Sequence, residues 1–209
     1  MYYGEKLNSI SHLVGAVFAL IGLGALLVLA WQAADAMVWL GYSVFGVSMV
    51  LLYTMSTLYH SFKPPALKQL FKLFDHISIY LLIAGSYTPF MLITMPNASG
   101  LPILALVWSL AAIGIVSELA LKGLAVKIGQ VIIYVLMGWA CSLDMDSLRD
   151  ELSPEGFTWL LAGGVAYTAG IFFYVLDKMK LLNHSHGVWH FFVLAGSAAH
   201  YVTVIGYVR

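Results

Sequence analysis

Charge is scarce in this chain. Of 209 residues, 10 are Lys or Arg and 10 are Asp or Glu, so the formal net charge is zero. Charged residues make up 10% and hydrophobic residues 61%, whereas a soluble domain carries about 25% charged residues. So little charge cannot coat a water-soluble core of this size, which points to a polytopic membrane protein. The neutral balance also gives no electrostatic footprint for nucleic acid, and no nucleic-acid partner is expected. Cysteine is almost missing. Cys141 alone excludes an intramolecular disulfide and a thiolate pair for a metal, and reads as a small packing residue. There is no convincing internal repeat and no low-complexity tract, so 1–209 reads as one domain.

What fills the chain is apolar runs. A spanning helix needs about 20 mostly apolar residues, and seven segments qualify: 9–31, 37–60, 75–95, 101–121, 127–145, 157–176 and 186–207. The first is too long for the apolar region of a signal peptide and reads as a retained helix. The fifth is the weakest, because Ser142, Asp144 and Asp146 crowd its end. The expected fold is therefore all-α, with seven transmembrane helices.

Lysine placement orients the bundle. With the N-terminus cytoplasmic, Lys6, Lys63, Lys68, Lys72, Lys122, Lys127, Lys178 and Lys180 all fall inside, while Arg149 and Arg209 fall outside. Asp35, Asp144, Asp146, Asp150, Glu151 and Glu155 lie on the outer loops. The C-terminus is then outside, and the expected location is the cytoplasmic (inner) membrane. Between the second and third spans, Pro64-Pro65 suits a helix start. Leu67, Leu70, Phe71 and Phe74 then repeat on one helical face beside Lys63, Lys68 and Lys72. This pattern predicts a short amphipathic helix lying in the inner interface.

Polar groups gather at one end of this apolar bundle. Ser56 and His60 share a face at the end of the second span, Asp75 opens the third, and His186 and His190 share a face at the start of the seventh. Ionisable groups are costly at such depths and mark function. Neutral imidazoles suit zinc, and three protein ligands with an open fourth position are the catalytic pattern. Asp75 is placed to hold a water or take its proton. Ser56 is placed to donate to a developing oxyanion or to orient a ligand. An HxxxH pair alone is weak evidence, since buried histidines often serve packing.

Other residues read more simply. His12, at the start of the first span, reads as a helix-packing residue, with an outer-shell role as the alternative. His76 points about 100° away from Asp75 around the helix and is not expected to be a ligand. His184 reads as a solvated loop residue. His200 lies about 21 Å along the axis from His186, too far for the same metal. Glu118 reads as an interfacial carboxylate near Lys122. Pro89 is expected to kink the third span, with Gly85 and Ser86 allowing close helix approach.

The combination of SxxxH, the aspartate Asp75 and HxxxH resembles the progestin and adipoQ receptor superfamily, and more closely its bacterial branch, the hemolysin III family. Asn8 through His12, Phe74 through Tyr80, Ala84 through Phe90, and His190 through His200 carry the likeness further, essentially end to end. The resemblance implies a seven-helix fold with zinc on His60, His186 and His190, Asp75 beside it and Ser56 next to the site. It also implies a role in membrane lipid and fluidity homeostasis, and a likeness to alkaline ceramidases, which hydrolyse lipid amides.

Three functions fit the residues. The first is a zinc-dependent hydrolase of lipid amide or ester bonds, with membrane lipid as substrate among the helices. The second is a non-catalytic sensor or receptor-like protein, in which zinc ties the seventh span to the second. The third, a cytolytic pore, is disfavoured because the spans show no polar stripe running their full depth.

Overall fold

The computed structural model describes residues 4–96 and 99–208. Within these, seven helical segments are long and apolar enough to cross a bilayer. The α-helices are α1 (Lys6–Ala33), α2 (Ala36–Ser61), α3 (Pro65–Pro89), α4 (Gly100–Ala120), α5 (Leu124–Gly138), α6 (Met145–Glu151), α7 (Pro154–Lys178) and α8 (Ser185–Tyr207). A 3-10 turn over Ala140–Asp144 joins α5 to α6, and the three pieces make the fifth span. No strand occurs among the described residues. The chain is an all-α, multi-pass membrane protein.

Local chemistry sets the helix ends. Asp35 caps α2, its Oδ1 accepting from the Met37 and Val38 amides at 2.7 and 3.1 Å. Ala34, just past α1, takes a left-handed conformation at φ 51° and turns the chain back. Ser153 caps α7, with Pro154 in the first turn and the Gly156 amide on its Oγ at 3.1 Å. Pro65 opens α3, a position where its missing N–H costs nothing.

Residues 65–74 do not form a separate interfacial helix; they are the first turns of α3, which runs unbroken to Pro89. No Gly or Pro lies between Pro65 and Gly85, so nothing stops the helix from propagating through Phe74 and Asp75. Leu67, Leu70 and Phe74 face outward, and Phe71 stacks on Phe62 with ring centroids 5.2 Å apart. At the other end, Pro89 lacks the N–H that continues an α-helical ladder. The helix widens after it into a π-turn over Phe90–Thr94, closed by the Met95 amide on the Phe90 carbonyl at 3.0 Å.

α2 packs between α1 and α3, α8 between α1 and α7, and α4 against α3 and α5. Small residues permit these approaches: a Cβ on Gly85 would strike Ser48 of α2, and one on Gly114 would strike the Tyr80 ring. Tyr53 donates to Ser197 Oγ at 2.6 Å, and Tyr167 pairs with the same hydroxyl at 2.7 Å, so α2, α8 and α7 are tied at mid-depth. Outward side chains such as Phe18, 69% exposed, are the lipid-facing surface. All eight lysines lie at the end where α1, α3, α5 and α8 begin, and six of the ten acidic residues lie at the other.

Candidate metal centre

Helix periodicity brings three histidines to one depth at the lysine-rich end. His60 ends α2, while His186 and His190 lie in the first two turns of α8. One ligand nitrogen from each lies within 4.8 Å of the other two. The ring centroids form a near-regular triangle, at 5.1 Å (His60–His186), 5.0 Å (His60–His190) and 4.9 Å (His186–His190). His190 is wholly buried and His60 nearly so.

The partners of the other ring nitrogens decide what these three can do. His60 Nδ1 lies 2.6 Å from Glu5 Oε2, and His186 Nδ1 lies 3.1 Å from Asp177 Oδ2. His190 Nδ1 lies 3.1 Å from the Asn8 carbonyl and 3.2 Å from Ser11 Oγ. Burial alone would raise the Glu5 carboxyl, but hydrogen bonds from His60, Asn8 and Lys68 outweigh it and hold the group at about 2. Glu5 is therefore an ionised acceptor, and carboxylates and carbonyls can only accept. Each Nδ1 accordingly carries the proton, and each Nε2 keeps its lone pair. All three Nε2 atoms are buried without a hydrogen-bond partner.

Three buried, unpartnered lone pairs converging within 4.8 Å are costly unless something binds them. A divalent cation that favours imidazole fits this donor set, zinc foremost. The carboxylate–imidazole pairs at His60 and His186 are the outer contacts that fix tautomer and ring orientation in such sites.

The remaining expected residues lie close by. Ser56 and Asp75 are both buried, and the Ser56 side chain contacts the Asp75 carboxylate. Trp189 packs beside the cluster, with centroids 5.0 Å from His186 and 5.3 Å from His190. His12 is fully inside and stacks on His190 at 3.6 Å and 6°, so it packs against one of the three clustered histidines. His184 is exposed in the turn before α8. His200 reaches the Leu160 carbonyl from Nε2 at 3.3 Å, far from the centre. Glu118 is corrected: its partner is His76, at 2.7 Å from Nδ1, not Lys122. The helix ends two residues before Lys122, which is exposed, whereas Glu118 turns inward toward α3.

A cavity of about 130 Å³ adjoins the centre among α3, α5, α7 and α8. His12 and Asp75 line one end, and Ser86, Tyr87 and His200 the other. Asp75 to Tyr87 is about 18 Å along α3. Its walls between are apolar, including Leu82, Ile83, Val131 and Ile171. Val135 and Gly138 of α5 and Thr168 of α7 line it while also exposed on the outer surface, so the α5–α7 side opens toward the bilayer.

The residues 2–201 match the family model described as Haemolysin-III related. This chain belongs to the haemolysin-III-related family. It is 39% identical to "Hemolysin-3" of Bacillus cereus over 98% of this chain and 91% of that one. It is 37% identical to the "Hemolysin-3 homolog" of Bacillus subtilis (strain 168), over 97% and 93%. A more distant relative, the human "Monocyte to macrophage differentiation factor", is 26% identical over 98% of this chain and 84% of its own length. That breadth agrees with the progestin and adipoQ receptor superfamily.

Sequence reasoning about this haemolysin-III relative missed Glu5, Asp177, Asn8 and Ser11 as partners of the three histidines. One signal pointed to the carboxylates. Four of the ten acidic residues (Glu5, Asp75, Glu118 and Asp177) break the trend that sends acids to the lysine-poor end. Three of these four pair with a histidine and the fourth meets Ser56.

Proposed function

We propose that this chain is a zinc-dependent hydrolase of lipid amide or ester bonds in the cytoplasmic (inner) membrane, serving membrane lipid and fluidity homeostasis. The lysine-rich end faces the cytoplasm, as the positive-inside rule requires, which puts the N-terminus inside and the C-terminus outside. The observation that carries the reading is the juxtaposition of the histidine triangle, a buried carboxylate at Asp75 and an apolar cavity that opens sideways to lipid.

His60, His186 and His190 would hold the ion. Zinc in that place supplies Lewis acidity and makes water ionisable near neutral pH. The rest is done by this chain's own side chains. The apolar walls bind the acyl chain and exclude water from it. Asp75 orients the attacking water and accepts its proton as the new C–O bond forms at the substrate carbonyl. The C–N or C–O bond to the leaving group then breaks, and Asp75 returns the proton to the departing amine or alkoxide oxygen. Ser56 holds the Asp75 carboxylate in position.

The test is fatty-acid release from labelled lipids by purified, zinc-loaded protein, with Asp75→Asn as control. Release that the substitution abolishes supports the hydrolase. Absence of release from amide-linked and ester-linked lipids alike defeats it. The sensor reading draws on a different feature, the tie that one ion held by His60, His186 and His190 would make between α2 and α8. It requires that chelation lower Tm while no lipid turns over.

A further inference from the structure

Three histidine–carboxylate pairs occur among the described residues, and lysine divides them. Lys68 lies 3.1 Å from Glu5, the partner of His60, and Lys178 lies 3.6 Å from Asp177, the partner of His186. No described lysine forms an ion pair with Glu118, the partner of His76, and Glu118 Oε2 is buried without a hydrogen bond. Lysine thus accompanies the two carboxylates that serve the histidine triangle, and not the one that ties α3 to α4.

The two lysines differ in the oxygen they take. Lys178 reaches Asp177 Oδ2, the atom that His186 also uses, and is half exposed. That is the geometry of an ordinary surface pair, which contributes little. Lys68 takes Glu5 Oε1, while His60 Nδ1 lies on Oε2, where Asn8 Nδ2 also donates at 2.9 Å. A carboxylate held at both oxygens cannot turn away from its imidazole. Glu5 needs such a hold, because it stands at the N-cap position of α1 and makes no capping hydrogen bond there. Lys68 is itself fixed: its ammonium lies 4.9 Å from the ring centre of Tyr59, the chain neighbour of His60. It also lies seven residues before Asp75, two turns of α3, so the two share a helix face. That face meets the centre once at Asp75, beside Ser56, and once at Lys68. The continuation of α3 through residues 65–74 is what brings Lys68 there.

We propose that Lys68 is a positioning residue for the metal, locking the Glu5 carboxylate from its far side so that Oε2 holds the His60 ring with Nε2 turned into the triangle. The charge of Lys68 by itself works the other way, since an ammonium repels a divalent cation. Lys68 is 27% exposed and acts across two intervening side chains, so water and salt screen that repulsion and orientation prevails. This role rests on the metal-binding part of the reading above and is independent of whether any lipid is cleaved.

Zinc affinity is measured by chelator competition on the full chain in phosphatidylcholine nanodiscs, together with the Tm of the metal-free protein. Lys68→Met is expected to weaken zinc about three- to tenfold, less than the loss of a direct outer partner. It should leave the metal-free Tm unchanged, as for any partly exposed ion pair. Lys68→Arg should restore the affinity, and Lys122→Met, which removes the same charge from the same end, should not alter it. In a Glu5→Ala background, Lys68→Met should cost nothing further, because the path to His60 is already cut. Full affinity in Lys68→Met overturns the proposal. An equal fall in Lys122→Met or in the Glu5→Ala background also overturns it, because Lys68 would then act by its charge and not through Glu5. A lower metal-free Tm in Lys68→Met makes the residue structural and overturns it too. If Lys68→Met does not fold, Lys68→Gln removes the same ammonium and is read in the same way. Failure of the metal reading looks different: His190→Ala then binds as much zinc as the wild type, whereas the Lys68 role fails alone when His190→Ala loses zinc and Lys68→Met keeps full affinity.

Discussion

Two imidazole–carboxylate pairs at the lysine-rich end have nearly equal geometry and different meaning. His60 lies 2.6 Å from Glu5, and His76 lies 2.7 Å from Glu118. His60 turns its second nitrogen toward two more imidazoles. His76 belongs to no such group among the described residues. A carboxylate beside a histidine therefore does not identify a metal site. It fixes a tautomer, and the direction of the remaining lone pair decides whether that tautomer builds a site or a helix–helix tie. On α3, the same end carries both outcomes one residue apart: Asp75 turns toward α2 and the cavity, and His76 toward α4.

The contrast can be broken most directly at the triangle itself. His190→Ala should take bound zinc, measured by elemental analysis, from one per chain toward none; unchanged stoichiometry would mean that His190 is not a ligand. Next in size is Asp75→Asn, which should keep the metal and lower lipid turnover by about 10²–10⁴-fold. Equal turnover would remove Asp75 as the proton acceptor. Glu5→Gln should sharpen the comparison, because it spares the three histidines and disturbs only the orientation of His60. A fall of about 10–100-fold in zinc affinity is expected by chelator competition; no fall would make the pair structural, like that of His76. The smallest effect belongs to Glu118→Gln. It should cost on the order of 1 kcal/mol of stability and leave zinc affinity within about twofold, and a larger loss of metal would show that the two pairs are coupled.

Periodicity made the histidine triad readable. Ser56 and His60, and His186 and His190, are spaced so that each pair must share a helix face, and Asp75 opens a span at the same depth. Their convergence followed once the seven apolar runs were recognised. Periodicity misled at 65–74, where an amphipathic pattern beside lysines looked like a surface helix. The pattern carries no signal for continuity, and α3 runs straight through it. Glu118 was misread for a similar reason. Lys122 is four residues away and ideally spaced along a helix, but the helix ends at Ala120 and a histidine on another helix is closer.

The sequence by itself determined the solvent of this protein and the depth of its polar residues. Hydrophobic length and lysine placement are properties of runs and ends, and they survive without knowledge of any contact. Which carboxylate meets which imidazole is a different matter. Glu5 and His60 are 55 residues apart, and His12 meets His190 across the whole chain. Only the packing of α1 against α2 and α8 brings them together. Hydrogen bonds and ring stacks act over a few ångströms, so the tautomers that aim three lone pairs at one point, and the two unmet nitrogens of His12, exist only in the assembled bundle.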